Sequence, residues 1–390
     1  MAVSELPVFA PVTAQVDGHD LRLVVAGQAR LDSLLLVIEA ALVSLRLYYY
    51  IFAQDTVGSQ VCDALIAARA RGVTVSLVVD GYGSEATPEA TFARLAGAGI
   101  HFDRFVPRWG RRFLVRNHQK MLIADDRVAV IGGSNIAALY FADDPAGKSW
   151  HDLLLVIEGP AAARLGTAYD ALTGWVDGDL GTLTTLNRVL TGSSEGQGPL
   201  RWVMGGPFRR LNPLVRALKR DIDRATQIDM IQAYFAPNWG LLRKLGHAAR
   251  RGRVRLITAS RSDNVTTVSA ARHCYRRLLR YGAEIMEYRP QMLHVKLIVA
   301  DDAVWIGSAN FDIRSLYINT ELALRVEDKN FADAMRALVD QHRPWCEQVT
   351  GESHRLNSPL IARIVRLVSY FIVATLDFRL TRRFTLPGRS

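Results

Sequence analysis

The sequence predicts an α/β protein of two similar halves, each a sheet covered by helices, with its chemistry where the halves meet. One observation is a doubled motif. Asn117-His118-Gln119-Lys120-Met121-Leu122-Ile123-Ala124-Asp125 runs on to Gly132-Gly133-Ser134-Asn135, and Leu293-His294-Val295-Lys296-Leu297-Ile298-Val299-Ala300-Asp301 runs on to Gly307-Ser308-Ala309-Asn310. Another is a near-constant offset: the histidines lie 176 residues apart, and Arg71-Gly72 lies 180 residues before Arg251-Gly252. Such regularity indicates duplication. The last is a strand–helix–strand alternation with short connections, the grammar of a parallel sheet covered by helices.

The elements follow in order. Residues 34–45 are apolar but interrupted by Glu39 and shorter than the roughly 20 residues that span a bilayer, so they read as a buried helix capped by Asp32 or Ser33. Residues 47–52 have the aromatic and β-branched content of a strand, 58–70 read as a helix with Val61, Leu65 and Ala68 inward, and 73–79 as a strand. A helix follows Pro88 and stops at Gly97 to Gly99. In residues 101–116, arginines alternate with aromatic residues just ahead of His118; Arg108, Trp109, Arg111 and Arg112 are its headgroup or membrane candidates. Guanidinium forks match phosphate oxygens, and aromatic rings suit a headgroup boundary. After the first turn come Trp150-His151-Asp152, a strand at 153–157 and a helix at 161–175.

The polar, Gly/Ser-rich residues 178–198 read as the connection between halves. The second half repeats the first, with a strand at 230–235, a helix at 241–251, another ending near Arg280, and a strand at 284–288 leading into His294. The expected division is 1–190, a linker at 191–199, 200–355, and a basic amphipathic tail at 356–390. In that tail Ile361, Ile364, Val365, Val368 and Ile372 fall on one helical stripe among arginines. This suits either an interfacial helix or one packed on the protein body.

Size and composition narrow the function. A chain of 390 residues, 49% hydrophobic, can bury a sizeable core. The formal charge of +10 calls for an anionic partner, a membrane or nucleic acid. The isolated cysteines, Cys62, Cys274 and Cys346, imply neither a disulfide framework nor a metal knuckle. Residues 1–26 lack a basic segment followed by an apolar one, the mark of a secretory signal.

The chemistry comes from strand parity. Side chains two apart on a strand share a face, so His118 and Lys120 project together, as do His294 and Lys296. An imidazole and an ammonium at the mouth of a buried strand call for an anion, most simply a phosphate. One free-base imidazole can attack phosphorus while a second, protonated, donates to the leaving oxygen. Lys120, Lys296, the amides of Asn135 and Asn310 and the hydroxyl of Ser308 would neutralise the transition state. Parity turns Asp125 and Asp301 away from the histidines, which favours a structural role at the turn even though both complete the motif. No cofactor is called for, and the sequence has no cluster with metal-ligand spacing.

The paired stretches resemble the HKD motifs of the phospholipase D superfamily over roughly residues 30–350, and Asn310-Phe311-Asp312-Ile313-Arg314-Ser315-Leu316-Tyr317-Ile318-Asn319-Thr320-Glu321 resembles the bacterial cardiolipin synthases in particular. One departure is spacing: five residues separate Asp301 from Gly307, six separate Asp125 from Gly132. The resemblance implies two α/β/α sandwich halves related by a pseudo-two-fold axis, with the active site between them. It implies metal-free catalysis through a phosphohistidine, with the HKD residues of both motifs as the catalytic set, His118 as nucleophile and His294 as acid/base. It further implies an orienting carboxylate exchanged between halves, Glu321 for His118 and Asp152 for His294. The function implied is transfer of a phosphatidyl group to phosphatidylglycerol, phosphatidylethanolamine being a second donor, by a peripheral enzyme on the cytoplasmic face of the bacterial inner membrane. The alternatives are a phospholipase D-type hydrolase and an HKD-family nuclease, nucleic acid being the less favoured partner. Oligomeric state is left open.

Overall fold

The computed structural model describes residues 6–376 apart from 107–114, 145, 178–182, 195–197, 209–211 and 357. Two eight-stranded mixed sheets dominate it. The first runs in the order Val12–Val16, His19–Val24, Leu154–Glu158, Val128–Gly132, Met121–Ala124, Ser44–Tyr49, Thr74–Asp80 and His101–Phe105. The second runs Leu200–Gly205, Glu321–Glu327, Ala303–Gly307, Lys296–Ala300, Gln227–Gln232, Arg253–Ala259, Glu284–Tyr288 and Cys346–Val349. Only three neighbouring strands of each sheet are paired in parallel, and the two motif strands run antiparallel to their neighbours. The strands expected at 47–52 and 73–79 do pair in parallel, but each sheet as a whole is mixed. A strand buried on both faces reads as an apolar run whichever way it points.

Each sheet has helices on its outer face, Gly27–Ala40, Thr56–Ala70 and Glu89–Gly97 on the first and Pro213–Arg224, Trp239–Arg251 and Val265–Arg280 on the second. On the inner faces lie Ala161–Asp177 and Lys329–His342, in one hydrophobic core shared by both halves. Leu155 and Ile157 of the first sheet and Val304 and Ile306 of the second belong to it. The indole of Trp202 donates to the carbonyl of Ala161 at 2.8 Å, stitching the halves together.

Several elements differ from expectation. The first helix begins at Gly27 rather than near Leu34, and neither Asp32 nor Ser33 caps it. The carboxylate of Asp143 instead accepts from the amides of Gly27 and Gln28 at 2.9 and 3.2 Å. The strands Val12–Val16 and His19–Val24 extend the sheet where no strand was expected. Within the expected connection, Leu183–Gly192 forms a helix, because Leu186 and Leu190 share a face that the core buries completely. The cysteines are free, Cys62 and Cys274 buried and Cys346 half-buried. The tail forms a helix at Leu360–Phe371 continued by Ile372–Leu376. Among the described residues no helix is long and apolar enough to cross a membrane.

Candidate active site

The two motifs meet through backbone bonds that cross between halves. The amide of His118 donates to Thr320 O at 2.9 Å, and that of Thr320 to Arg116 O at 2.9 Å. In the other half, Met292–Leu293 pairs in parallel with Trp150–His151, and the amide of His294 donates to His151 O at 2.7 Å. Each motif thus enters its strand alongside the segment carrying the other half's carboxylate. Asp80 fixes the first approach: its buried carboxylate accepts from the amides of Tyr82, Gly83 and Asn117.

This register exchanges the acids. His118 Nδ1 lies 3.0 and 3.1 Å from the two oxygens of Glu321, and His294 Nδ1 lies 2.7 Å from Asp152 Oδ2. Glu321 and Asp152 are 0% and 1% exposed, so each carboxylate has given up water for its histidine. A carboxylate on Nδ1 holds a proton there and leaves Nε2 bare. Lys120 Nζ donates back to His118 O at 2.7 Å, and Lys296 Nζ likewise to His294 O, folding each ammonium under its histidine. Lys296 also reaches the opposite turn: a Cβ on Gly133 would stand 3.0 Å from its Nζ and 2.6 Å from Asp152 Oδ2, closer than a side chain can sit.

Burial governs the charges. It lowers the His118 imidazole, with Glu321 pulling back upward, and lowers His294 to about 3, with Lys296 adding to the effect. Burial likewise brings Lys120 down to about 7 and Lys296 to about 8. For Asp152 burial alone would act upward, but His294, Lys296 and Arg30 outweigh it and hold the acid at about 2. Near neutral pH burial therefore keeps both imidazoles neutral and brings the lysines close to losing their protons. An arriving phosphodiester would reverse both tendencies, since its negative charge favours every nearby cation.

The other expected residues divide. The hydroxyl of Ser308 donates to Glu321 Oε2. Asn135 Oδ1 accepts from the amide of Ile51 at 3.1 Å, and the buried Asn310 Oδ1 has no hydrogen-bond partner among the described residues. Asp125 and Asp301 stand at the far ends of their strands, bonded to backbone amides there rather than to the imidazoles. Asp125, at φ +56°, accepts from the amides of Leu42, Val43 and Ser44; Asp301, at φ +47°, accepts from those of Thr226 and Gln227. Both tie the far end of a motif strand to the start of its neighbour. Arg108, Trp109, Arg111 and Arg112 lie outside the described residues.

Sequence reasoning missed three features. Ser134 donates to Asp152 Oδ2 at 3.2 Å and accepts from Arg30 Nη1 at 3.0 Å, while Arg30 Nη2 reaches Trp150 O at 3.2 Å. Arg30 is 1% exposed, and its position on the stripe shared with Leu34 and Ile38 was the available signal. Aromatic walls flank the imidazoles, Tyr50 at 5.2 Å from His118 and Tyr140 and Trp150 each at 5.1 Å from His294. Behind the second site His151 Nε2 and His342 Nε2 lie 2.8 Å apart across the two halves.

Doubled sheets, a histidine–lysine pair from each half and carboxylates exchanged between them define the class, the phospholipase D superfamily. The family described as "cardiolipin synthase, PLD-like domain" matches residues 34–169 and 218–343. Cardiolipin synthase A of Pseudomonas putida (strain GB-1) is 30% identical over 363 residues, covering 90% of this chain and 74% of that protein. Its counterpart in Pseudomonas aeruginosa (strain LESB58) is 28% identical over 368 residues, covering 92% and 74%. The phosphatidylserine synthase of Haemophilus influenzae Rd KW20 shares the fold at TM-score 0.70 and 13% identity, over 97% of both chains. The chain belongs to the PLD-like cardiolipin synthase family, and is a cardiolipin synthase-like phosphatidyltransferase.

Proposed function

We propose that the two histidines divide one phosphatidyl transfer between them. In the first step His118 Nε2 attacks the phosphorus of a phosphatidylglycerol donor while His294, protonated in the bound complex, gives its proton to the departing glycerol oxygen. The phosphorus–oxygen bond breaks as the phosphorus–nitrogen bond forms. In the second step neutral His294 takes the proton from the primary hydroxyl of another phosphatidylglycerol, whose oxygen displaces His118 to give cardiolipin. Phosphatidylethanolamine could serve as donor by the same steps, releasing ethanolamine. Glu321 and Asp152 keep Nδ1 of each ring protonated, so that Nε2 does the work. Lys120, Lys296, Ser308, Asn135 and Asn310 are the proposed charge-neutralising set around the phosphoryl oxygens.

The observation that carries this reading is the reciprocal exchange of acids, His118 to Glu321 and His294 to Asp152. Two oriented imidazoles in one buried site suit a reaction that needs a nucleophile and a proton carrier at the same moment. The aromatic walls limit water around the phosphohistidine, which favours a lipid hydroxyl as acceptor over hydrolysis. We place the enzyme peripherally on the cytoplasmic face of the inner membrane, where its +10 charge suits anionic phospholipid.

The test uses purified protein without added metal, liposomes of radiolabelled phosphatidylglycerol and a His118→Ala control. Cardiolipin formed only by the intact protein is the expected result. Phosphatidic acid as the sole product would replace transfer by hydrolysis, and the absence of any lipid product would overturn the reading.

A further inference from the structure

The helix Leu360–Phe371 is turned inside out. Ile361 is 76% exposed, and Leu360, Ile364, Val365, Val368 and Phe371 are all exposed beside it. Ala362, Arg366, Ser369 and Tyr370 face the protein, and Arg363 is exposed beside the stripe. The Tyr370 hydroxyl donates to Pro237 O at 2.7 Å and its ring stacks on His273 at 4.9 Å, while Arg363 Nε donates to Ser358 O at 2.8 Å. A helix on a water-exposed surface normally buries its apolar stripe and shows its charges.

Beside the stripe lies a groove of about 700 Å³ between this helix, Val265–Arg280 and Gly351–Leu356. Arg272, Arg276, Arg280, Arg355, Arg363 and Arg366 line it, and no lining residue is a carboxylate. Glu287, behind the wall, is already engaged by Arg272 through two bonds of 2.8 Å. Arg276, Arg280 and Arg355 have no ion-pair partner among the described residues. So many guanidinium groups around one concavity repel one another unless an anion sits among them, and their planar forks suit phosphate oxygens. At the edge, Trp239 is half exposed with Arg277 5.3 Å above its ring, the pairing of indole and cation found at a headgroup boundary.

We propose that this face docks the protein on a bilayer containing anionic phospholipid, with a headgroup phosphate in the arginine groove and the stripe of Leu360–Phe371 among the acyl chains. The inference deepens the reading that the substrates are membrane phospholipids and rests on it. Charge complementarity selects the occupant. Nucleic acid would satisfy the groove but leave the aliphatic stripe in water. A second copy related by a two-fold axis would cover the stripe but bring two arginine clusters together. The surface also connects to the chemistry, because Ala374, just beyond the helix, shares a core with Phe311 and Leu316, which follow the second motif.

The test is sedimentation of the full chain with vesicles of phosphatidylcholine alone, or of phosphatidylcholine mixed with phosphatidylglycerol. We expect at least tenfold stronger binding to the anionic vesicles, weakened by salt. Arg276→Glu with Arg280→Glu should remove about tenfold or more of that binding. Ile361→Ser with Ile364→Ser and Val368→Ser should weaken binding to both vesicles. Unfolding temperature and circular dichroism should match the parent in each case. Variants that bind like the parent would overturn the proposal. So would single-stranded DNA that strips the parent from vesicles and is lost by the arginine variant, or a dimer that the serine variant splits without changing vesicle binding. Parent protein that binds anionic vesicles but makes no cardiolipin supports the surface and removes the transferase reading. Parent protein that makes cardiolipin in detergent micelles but sediments with neither vesicle removes the surface alone.

Discussion

The two halves build equivalent histidine sites from unequal parts. On His294 the acid is a short aspartate, gripped by the imidazole, by Ser134 and by its own neighbouring amide, with buried Arg30 behind Ser134. On His118 it is a longer glutamate held by the imidazole and Ser308, with no arginine bonded to either among the described residues. The serines are not even aligned: Ser308 immediately follows its turn glycine, whereas Gly133 takes that place in the first half and Ser134 comes one residue later. Duplication therefore preserved the contact to the acid rather than the residue that makes it. The difference fits the roles proposed above: Asp152, with the more partners, stands behind the ring proposed to pass a proton, and Glu321 behind the ring proposed to take the phosphoryl group.

The strongest way to break this comparison is to remove each histidine in turn. His118→Ala and His294→Ala are each expected to cost about 10,000-fold or more in transfer rate. They should differ in trapping: His294→Asn given a radiolabelled lipid donor should carry label on His118, whereas His118→Asn should carry none. Label on His294 in the second variant would invert the assignment. Next in size, Asp152→Asn and Glu321→Gln should each lower kcat by about 1,000-fold, with KM nearly unchanged, because the wrong tautomer is presented to phosphorus.

Smaller but more discriminating is Arg30→Met, expected to reduce kcat about tenfold, with partial recovery in Arg30→Lys. As a positioning residue Arg30 acts through Asp152. Its removal should shift the pH profile of kcat/KM, and an unchanged profile with lower stability would reduce Arg30 to a packing residue. The pH responses are the smallest effects. With Lys120 and Lys296 at about 7 and 8, kcat/KM should decline from about pH 7 upward as their positive charges are lost. Stability should move the other way. His294 and His342, held down at about 3 and 4 by burial, stay neutral in the folded chain, whereas the unfolded chain takes up their protons below about 6.5. Unfolding temperature should therefore fall as pH drops from about 6.5 towards 4. A flat profile there would show that these rings are not buried as neutral groups.

Much of this plan is legible in the chain. Period-two parity puts each histidine and lysine on one face and turns Asp125 and Asp301 away, so the motif's own letters overstate the part of its aspartates. The offset of the motifs anticipates two sheets, and their central strands do occur in the same order. The direction of the motif strands was not readable, since burial on both faces erases alternation. The helix Leu183–Gly192 hid among glycine, serine and threonine, because only its leucines face the core. Long-range partners were beyond local reasoning: Asp143 caps a helix 116 residues earlier, and Arg30 serves a turn 104 residues later. The outward stripe of Leu360–Phe371 fits both an interfacial and a core-packed helix by periodicity, and only its orientation distinguishes them.

The exchange of acids also sets when the protein can first become reactive. Glu321 lies 203 residues after His118, so a growing chain that has finished its first half carries an imidazole with no carboxylate to fix its tautomer. Asp152, made early, waits 142 residues for His294. Neither half holds a complete site by itself. Oriented imidazoles arise only when both sheets have folded and docked, so assembly of the whole molecule is the switch that turns its chemistry on.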